Sequence, residues 1–132
     1  VILVDTNVLL DLVTDDIQWP GWSVMQLAAA ARQGSLISND VIYAELAVRY
    51  ASIHELDHFI EAAGLERVPI SLPALFLAGK AFVTYRKAGG TRTGVLPDFF
   101  IGAQAATENV PLLTRDAGRY RTYFPNARLI AP

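Results

Sequence analysis

The chain has 132 residues, of which 52% are hydrophobic and only 18% charged, against about 25% charged in an average soluble domain. That length and apolar content support a core without covalent staples, and the lack of cysteine excludes a disulfide framework, a thiolate zinc site and a cysteine nucleophile. The net charge of −2 divides unevenly: residues 1–79 hold ten acids and three bases, residues 80–132 three acids and eight bases, a polarity that suits a polyanion met by one face.

Val1 to Val4 is an apolar run without alternation, as expected of a strand covered on both faces. A helix is predicted over Val8 to Val13 and a second over Ser23 to Gln33, stopped by Gly34, before a strand at Leu36 to Ser38. Asp40 is expected to cap a helix reaching Tyr50. Ser52-Ile53-His54-Glu55 is a capping box, and the helix it opens carries Ile53, Leu56, Phe59, Ile60 and Ala63 on its apolar side until Gly64. Ser71 and Pro73 open a long helix to Ala88. Gly89 to Gly94 reads as a loop, Pro97 begins another helix, and Val110 to Leu113 is a strand. Ala117 to Tyr123 is predicted as a short helix before a last strand at Leu129 and Ile130. Strands separated by helices imply an α/β domain spanning residues 1–132, with a parallel sheet of four or five short strands flanked by helices. No apolar run approaches the ~18 residues of a membrane span and no basic segment precedes Val1 to Val4, so neither a signal peptide nor an anchor is read, and a cytoplasmic setting is expected.

In an open parallel sheet, ligands bind beyond the carboxyl ends of the strands. Asp5 directly follows the first strand, and Asp116 follows Val110 to Leu113. Glu45 lies in the helix after the second strand, and Asp98 opens the helix that feeds Val110 to Leu113. Each acid alone has an ordinary explanation: Asp5 and Asp116 as helix caps, Asp98 as a favourable first-turn charge, Glu45 as the partner of Arg49 four residues on. Glu45 stands apart from that pattern because Val41, Ile42 and Val48 surround it with an apolar stripe. Two carboxylates about 6 Å apart repel by about 3 kcal/mol at an effective dielectric of 20, so a cluster of four calls for a cation or raised pKa values. Oxygen ligands without histidine or cysteine select one or two magnesium or manganese ions, which accept phosphate oxygens. Such ions lower the pKa of a bound water and offset charge on an attacked phosphate, so no protein nucleophile is required.

The pattern Asp5-Thr6-Asn7-Val8-Leu9-Leu10, with Tyr43-Ala44-Glu45-Leu46, Pro97-Asp98 and Leu113-Thr114-Arg115-Asp116, resembles the PIN domain, and the short chain resembles VapC-type ribonuclease toxins within it. The likeness runs over nearly the whole chain. It implies a PIN-like three-layer fold and magnesium- or manganese-dependent endoribonuclease activity leaving a 5′-phosphate and a 3′-hydroxyl. It also implies a toxin-antitoxin pair in which a small antitoxin inhibits the enzyme. Asp5, Glu45, Asp98 and Asp116 match the acidic, metal-binding and catalytic positions, with Asn7 and Thr114 as polar supports. A further acid that some relatives carry near Asp116 is replaced here by Ala117 and Gly118. Arg86, Lys87, Arg92, Arg115, Arg119 and Arg121 are candidate holders of RNA phosphates. Few charges and a positive mean hydropathy leave apolar surface for the antitoxin and for a homodimer. The antitoxin is expected to lay an apolar segment in a groove and present a basic side chain to the acids.

Other signals compete. His54-Glu55-Leu56-Asp57-His58 fits the zinc-protease pattern His-Glu-x-x-His, but Asp57 charges a segment normally apolar, no third ligand follows, and Glu55 already serves the capping box. Gly89-Gly90-Thr91-Arg92-Thr93-Gly94 lacks the Lys-Ser/Thr and the preceding strand of a phosphate-binding loop; it reads as a mobile loop placed to close over substrate or partner. Trp19, Trp22, Phe76, Phe82, Phe99 and Phe100 are candidates for base stacking, with core packing the commoner use. Another magnesium-dependent phosphoryl-handling enzyme fits less well: a haloacid-dehalogenase-type phosphatase needs Asp-x-Asp where Asp5-Thr6-Asn7 stands, and a receiver domain needs a lysine after a late strand. A noncatalytic PIN-like module gripping an arginine-bearing partner is the remaining alternative.

Overall fold

The computed structural model describes residues 1–13, 20–92 and 94–132; Trp19 and Thr93 lie outside the described residues. Ile2–Val4 (β1) is followed by Thr6–Asp11 (α1), Pro20–Gln33 (α2), Leu36–Ser38 (β2), Asp40–Ala47 (α3) and Ile53–Ala62 (α4). Leu65–Arg67 (β3), Leu72–Lys87 (α5), Leu96–Glu108 (α6), Leu112–Leu113 (β4), Gly118–Tyr123 (α7) and Leu129–Ile130 (β5) complete the order. The strands form one parallel sheet in the order β3-β2-β1-β4-β5, flanked by helices as expected. Every residue of β1, β2 and β4 is buried, which is why their sequences run apolar without alternation.

The local differences from the expected elements have physical causes. The first helix begins at Thr6 because Asp5 is its N-cap and accepts the Thr6 amide, so the turn forms two residues ahead of the apolar run. Asn39, not Asp40, caps α3, its Oδ1 accepting the Ile42 amide at 2.8 Å. β3 was not expected: Leu65-Glu66-Arg67 is an edge strand with two exposed charged residues, and such a strand carries little apolar signal. The capping box at Ser52 forms as read, with Ser52 Oγ accepting the Glu55 amide and Glu55 returning to the Ala51 amide.

The chain runs from β1 outward to β2 and β3, then crosses back to place β4 and β5 on the other side of β1. That reversal opens a crevice at the carboxyl ends of β1 and β4. Two neighbouring helices are registered to it by a buried amide pair, Asn39 Nδ2 donating to Gln104 Oε1 at 2.6 Å, which ties the start of α3 to α6. Beneath α6, Phe99 is fully buried among Phe82, Tyr85, Tyr123 and Phe124 with ring centroids 5.3–6.0 Å apart. Phe99 is therefore core and not a base-stacking surface. Gly102 lets α7 approach α6: a Cβ there would stand 2.4 Å from the Phe124 ring and 3.0 Å from that of Tyr120. Gly102→Ala is expected to destabilise the fold by about 1–3 kcal/mol through overpacking, read by urea denaturation; a loss below half a kcal/mol would contradict this close approach.

Candidate active site

Asp5 leaves β1 at the crevice and is 3% exposed. Its Oδ1 accepts the Thr6 amide at 2.7 Å, while Oδ2 accepts the hydroxyls of Thr114 and Tyr120, each at 2.8 Å, and the Asn7 side-chain amide at 3.4 Å. Thr114, just beyond β4, is a junction: it donates to Asp5 and accepts from Asn7 Nδ2 and from the Asp116 amide, both at 3.2 Å. Asn7 Oδ1 accepts the Arg115 amide at 3.2 Å, which closes the first turn of α1 onto the segment after β4. Asn7 and Thr114 thus sit beside Asp5 as the sequence pattern placed them.

Glu45 reaches the crevice from α3. It accepts the Thr6 hydroxyl at 2.7 Å, and no ion pair to Arg49 is present among the described residues. Its expected apolar surround is only partly there: Ile42 is buried, but Val48 is 87% exposed. Asp98 lies in the first turn of α6 and pairs with Arg119 of α7. Asp116 is exposed and leaves α7 without a side-chain cap. A polar cleft of about 310 Å³ is lined by Arg92, Gly94, Val95, Asp98, Asp116 and Arg119.

The acids influence one another. Burial pushes the Asp5 pKa up to about 6; the Tyr120 and Thr114 hydrogen bonds oppose this and the charge of Asp98 adds to it. Burial also raises Glu45, with Asp98 again contributing, and it raises Asp98, with Asp116 contributing against the Arg119 pair. Asp98 is the electrostatic centre of the group. Tyr120, buried and facing Asp5, Asp98 and Glu45, is held protonated far above its ordinary range, which makes its hydroxyl the donor to Asp5.

Among the described residues no three acidic or histidine side chains close into a group able to hold a metal ion. Asp5, Glu45 and Asp98 each bond protein donors instead. The donor set nevertheless fits a hard dication. The groups it could offer are carboxylate oxygens, three of the four acids have pKa values raised chiefly by burial, and Arg119 is the opposing charge paired with Asp98.

The six basic candidates separate. Arg119 and Arg92 line the cleft, while Arg86, Lys87 and Arg121 are exposed outside it. Arg115 is not among the residues lining the cleft, and its Nε lies 3.0 Å from Asp11 Oδ2. Thr6 and Tyr120 escaped the sequence reading, since a hydroxyl that meets an acid 39 or 115 positions away leaves no local pattern. His54 and His58 are exposed on α4.

Similar folds occur in VapBC2 from Rickettsia felis bound to a DNA fragment from their promoter (18% identity, TM-score 0.73, 99% of this chain and 98% of that one). VapBC-1 from nontypeable Haemophilus influenzae matches comparably (18%, 0.73, 98% and 96%), as does a toxin-antitoxin complex from Klebsiella pneumoniae (19%, 0.61, 98% and 96%). No curated protein sequence matches the chain. A family model described as PIN domain matches residues 2–125, nearly the full length, and the chain belongs to the PIN domain family.

Proposed function

We propose that this chain is a VapC-type toxin, an endoribonuclease that uses magnesium or manganese and is inhibited by a small antitoxin protein. The observation that supports the reading is that Asp98 and Asp116 line one polar cleft, with the charge of Asp98 acting on both Asp5 and Glu45 from the first turn of α6. Asp5, Glu45, Asp98 and Asp116 would hold one or two ions. A bound dication supplies a water of lowered pKa and positive charge at the scissile phosphate.

The protein's own groups orient and bind. Thr6 fixes Glu45, and Thr114 with Asn7 fixes Asp5. Arg92 and Arg119 flank the cleft and hold the phosphodiester, and the exposed Arg86, Lys87 and Arg121 neutralise backbone phosphates beyond it, a contact independent of base sequence. The antitoxin is supported by the solved relatives, which are VapBC or toxin-antitoxin complexes. It is also supported by an apolar groove of about 440 Å³, lined by Val41, Ala44, Val48, Leu96, Pro97 and Phe100, that borders Glu45. Such a groove suits an apolar segment with a basic side chain turned to the acids. No helix of the described residues is long and apolar enough to cross a membrane.

The test is cleavage of total RNA by the purified chain, with ends mapped. Cuts bearing 5′-phosphates are expected in magnesium or manganese, none in EDTA, and none once the antitoxin encoded beside the toxin is added. A noncatalytic module predicts no metal-stimulated cuts under any of these conditions, and that result would overturn the reading.

A further inference from the structure

Asp5 uses its two oxygens unequally. Each carboxylate oxygen offers two lone pairs, and Oδ2 receives two hydroxyl protons at 2.8 Å besides the longer contact from Asn7. Among the described residues, Oδ1 receives only the Thr6 amide. Oδ2 is saturated by its two short hydroxyl bonds, and Oδ1 is the less occupied oxygen among the described residues.

Three of these donors, Thr6, Asn7 and Thr114, come from chain next to Asp5 or from the adjoining strand end, but Tyr120 comes from α7. Its ring is buried and its position is set by the close approach at Gly102. The preceding residue, Arg119, pairs with Asp98. Consecutive positions of one short helix therefore hold two acids: Arg119 pairs with Asp98, and the Tyr120 hydroxyl donates to Asp5 and also acts on Asp98.

The geometry points to Tyr120 as a positioning residue: its hydroxyl holds Asp5 Oδ2 and so fixes the orientation in which Asp5 would meet a dication. This rests on the metal-dependent reading above. A ligating carboxylate held by an outer hydrogen bond loses about 10- to 100-fold in metal affinity or activity when that bond is removed. Tyr120→Phe keeps the ring that packs against Gly102 and deletes only the donor.

Manganese binding by isothermal titration calorimetry, on the unmodified chain, Asp5→Asn, Tyr120→Phe and a chain with 3-fluorotyrosine at position 120, separates the possibilities. The expected result is binding by the unmodified chain, loss in Asp5→Asn, and weakening of about tenfold in Tyr120→Phe. The fluorotyrosine chain, which keeps the hydroxyl, should bind as the unmodified chain does. Single-turnover cleavage by Tyr120→Phe should need about ten times more manganese for half its maximal rate and recover at saturation, a shift that a merely structural role would not produce. Binding by Tyr120→Phe equal to or tighter than the unmodified chain, with Asp5→Asn still defective, overturns the role of Tyr120 alone. Loss of binding in the fluorotyrosine chain also overturns it. Absence of manganese binding in the unmodified chain overturns the metal-dependent reading and this inference with it.

Discussion

Asp5→Asn is expected to abolish RNA cleavage and, in EDTA at pH 7.5, to raise the melting temperature. Loss of a ligand should exceed the roughly 10- to 100-fold cost of losing an outer-sphere partner, because the substitution keeps the volume and removes the charge. The gain in stability follows from linkage. The Asp5 pKa is raised from 3.8 to about 6 in the fold, chiefly by burial, so the native state binds this proton more tightly than the unfolded chain does. The stability this contributes is complete below about pH 3.8 and is lost as pH rises through about 6. A shift of that size corresponds to about 3 kcal/mol at neutral pH. Glu45 and Asp98 are raised as well and act with the same sign. Asparagine cannot ionise, but with its oxygen toward Tyr120 and Thr114 its NH₂ meets the Thr6 amide, and losing that cap bond returns about 1 kcal/mol. The net gain is about 2 kcal/mol, several degrees in a domain of this size. Thermal melts from pH 4 to 8 should show the difference between variant and unmodified chain growing with pH. Manganese should stabilise the unmodified chain and leave the variant unmoved. A difference that stays flat with pH, or a variant that still cuts, contradicts the role given to Asp5.

The acids proposed for the site stand out in the sequence because parallel strands send the residues after them to one rim, and Asp5 and Asp116 need only that rule. Asp98 and Glu45 were legible more weakly, as acids at a helix start and on a partly apolar face. What closes around them was not. Thr6 and Tyr120 are ordinary helix residues in the sequence, and their meaning comes from pairings across the fold. The bases show the same limit. Charge counting located the basic half of the chain, yet charge alone does not say whether an arginine faces solvent, as Arg121 does, or a carboxylate, as Arg119 and Arg115 do. β3 was missed for a related reason: the partner β2 supplies the backbone bonds, and the side chains of Glu66 and Arg67 carry no record of them.

Arg115→Ala is expected to unfold the protein more readily and to leave its affinity for RNA almost unchanged. Asp11 ends α1, is 3% exposed, and accepts both Arg115 Nε at 3.0 Å and Ser23 Oγ at 2.6 Å on one oxygen. A carboxylate at that end of a helix opposes the dipole, and these two partners offset that cost. They join α1, the start of α2 and the segment after β4 at one point. Removing one side of a buried pair costs about 3–5 kcal/mol; the low end applies here because the Arg115 side chain is 29% exposed and water can enter behind it. Lysine should restore little, since a point charge does not reproduce the direction of the guanidinium Nε. The Arg115 amide would still donate to Asn7, so the effect belongs to the side chain. Urea denaturation measures the loss. RNA binding by a cleavage-inactive chain at several salt concentrations gives the contrasting arm, because deleting a phosphate contact lowers the salt slope by about 1. An unchanged slope with a loss of about 3 kcal/mol makes Arg115 a clamp. A slope reduced by one unit at unchanged stability would return it to the RNA-binding set.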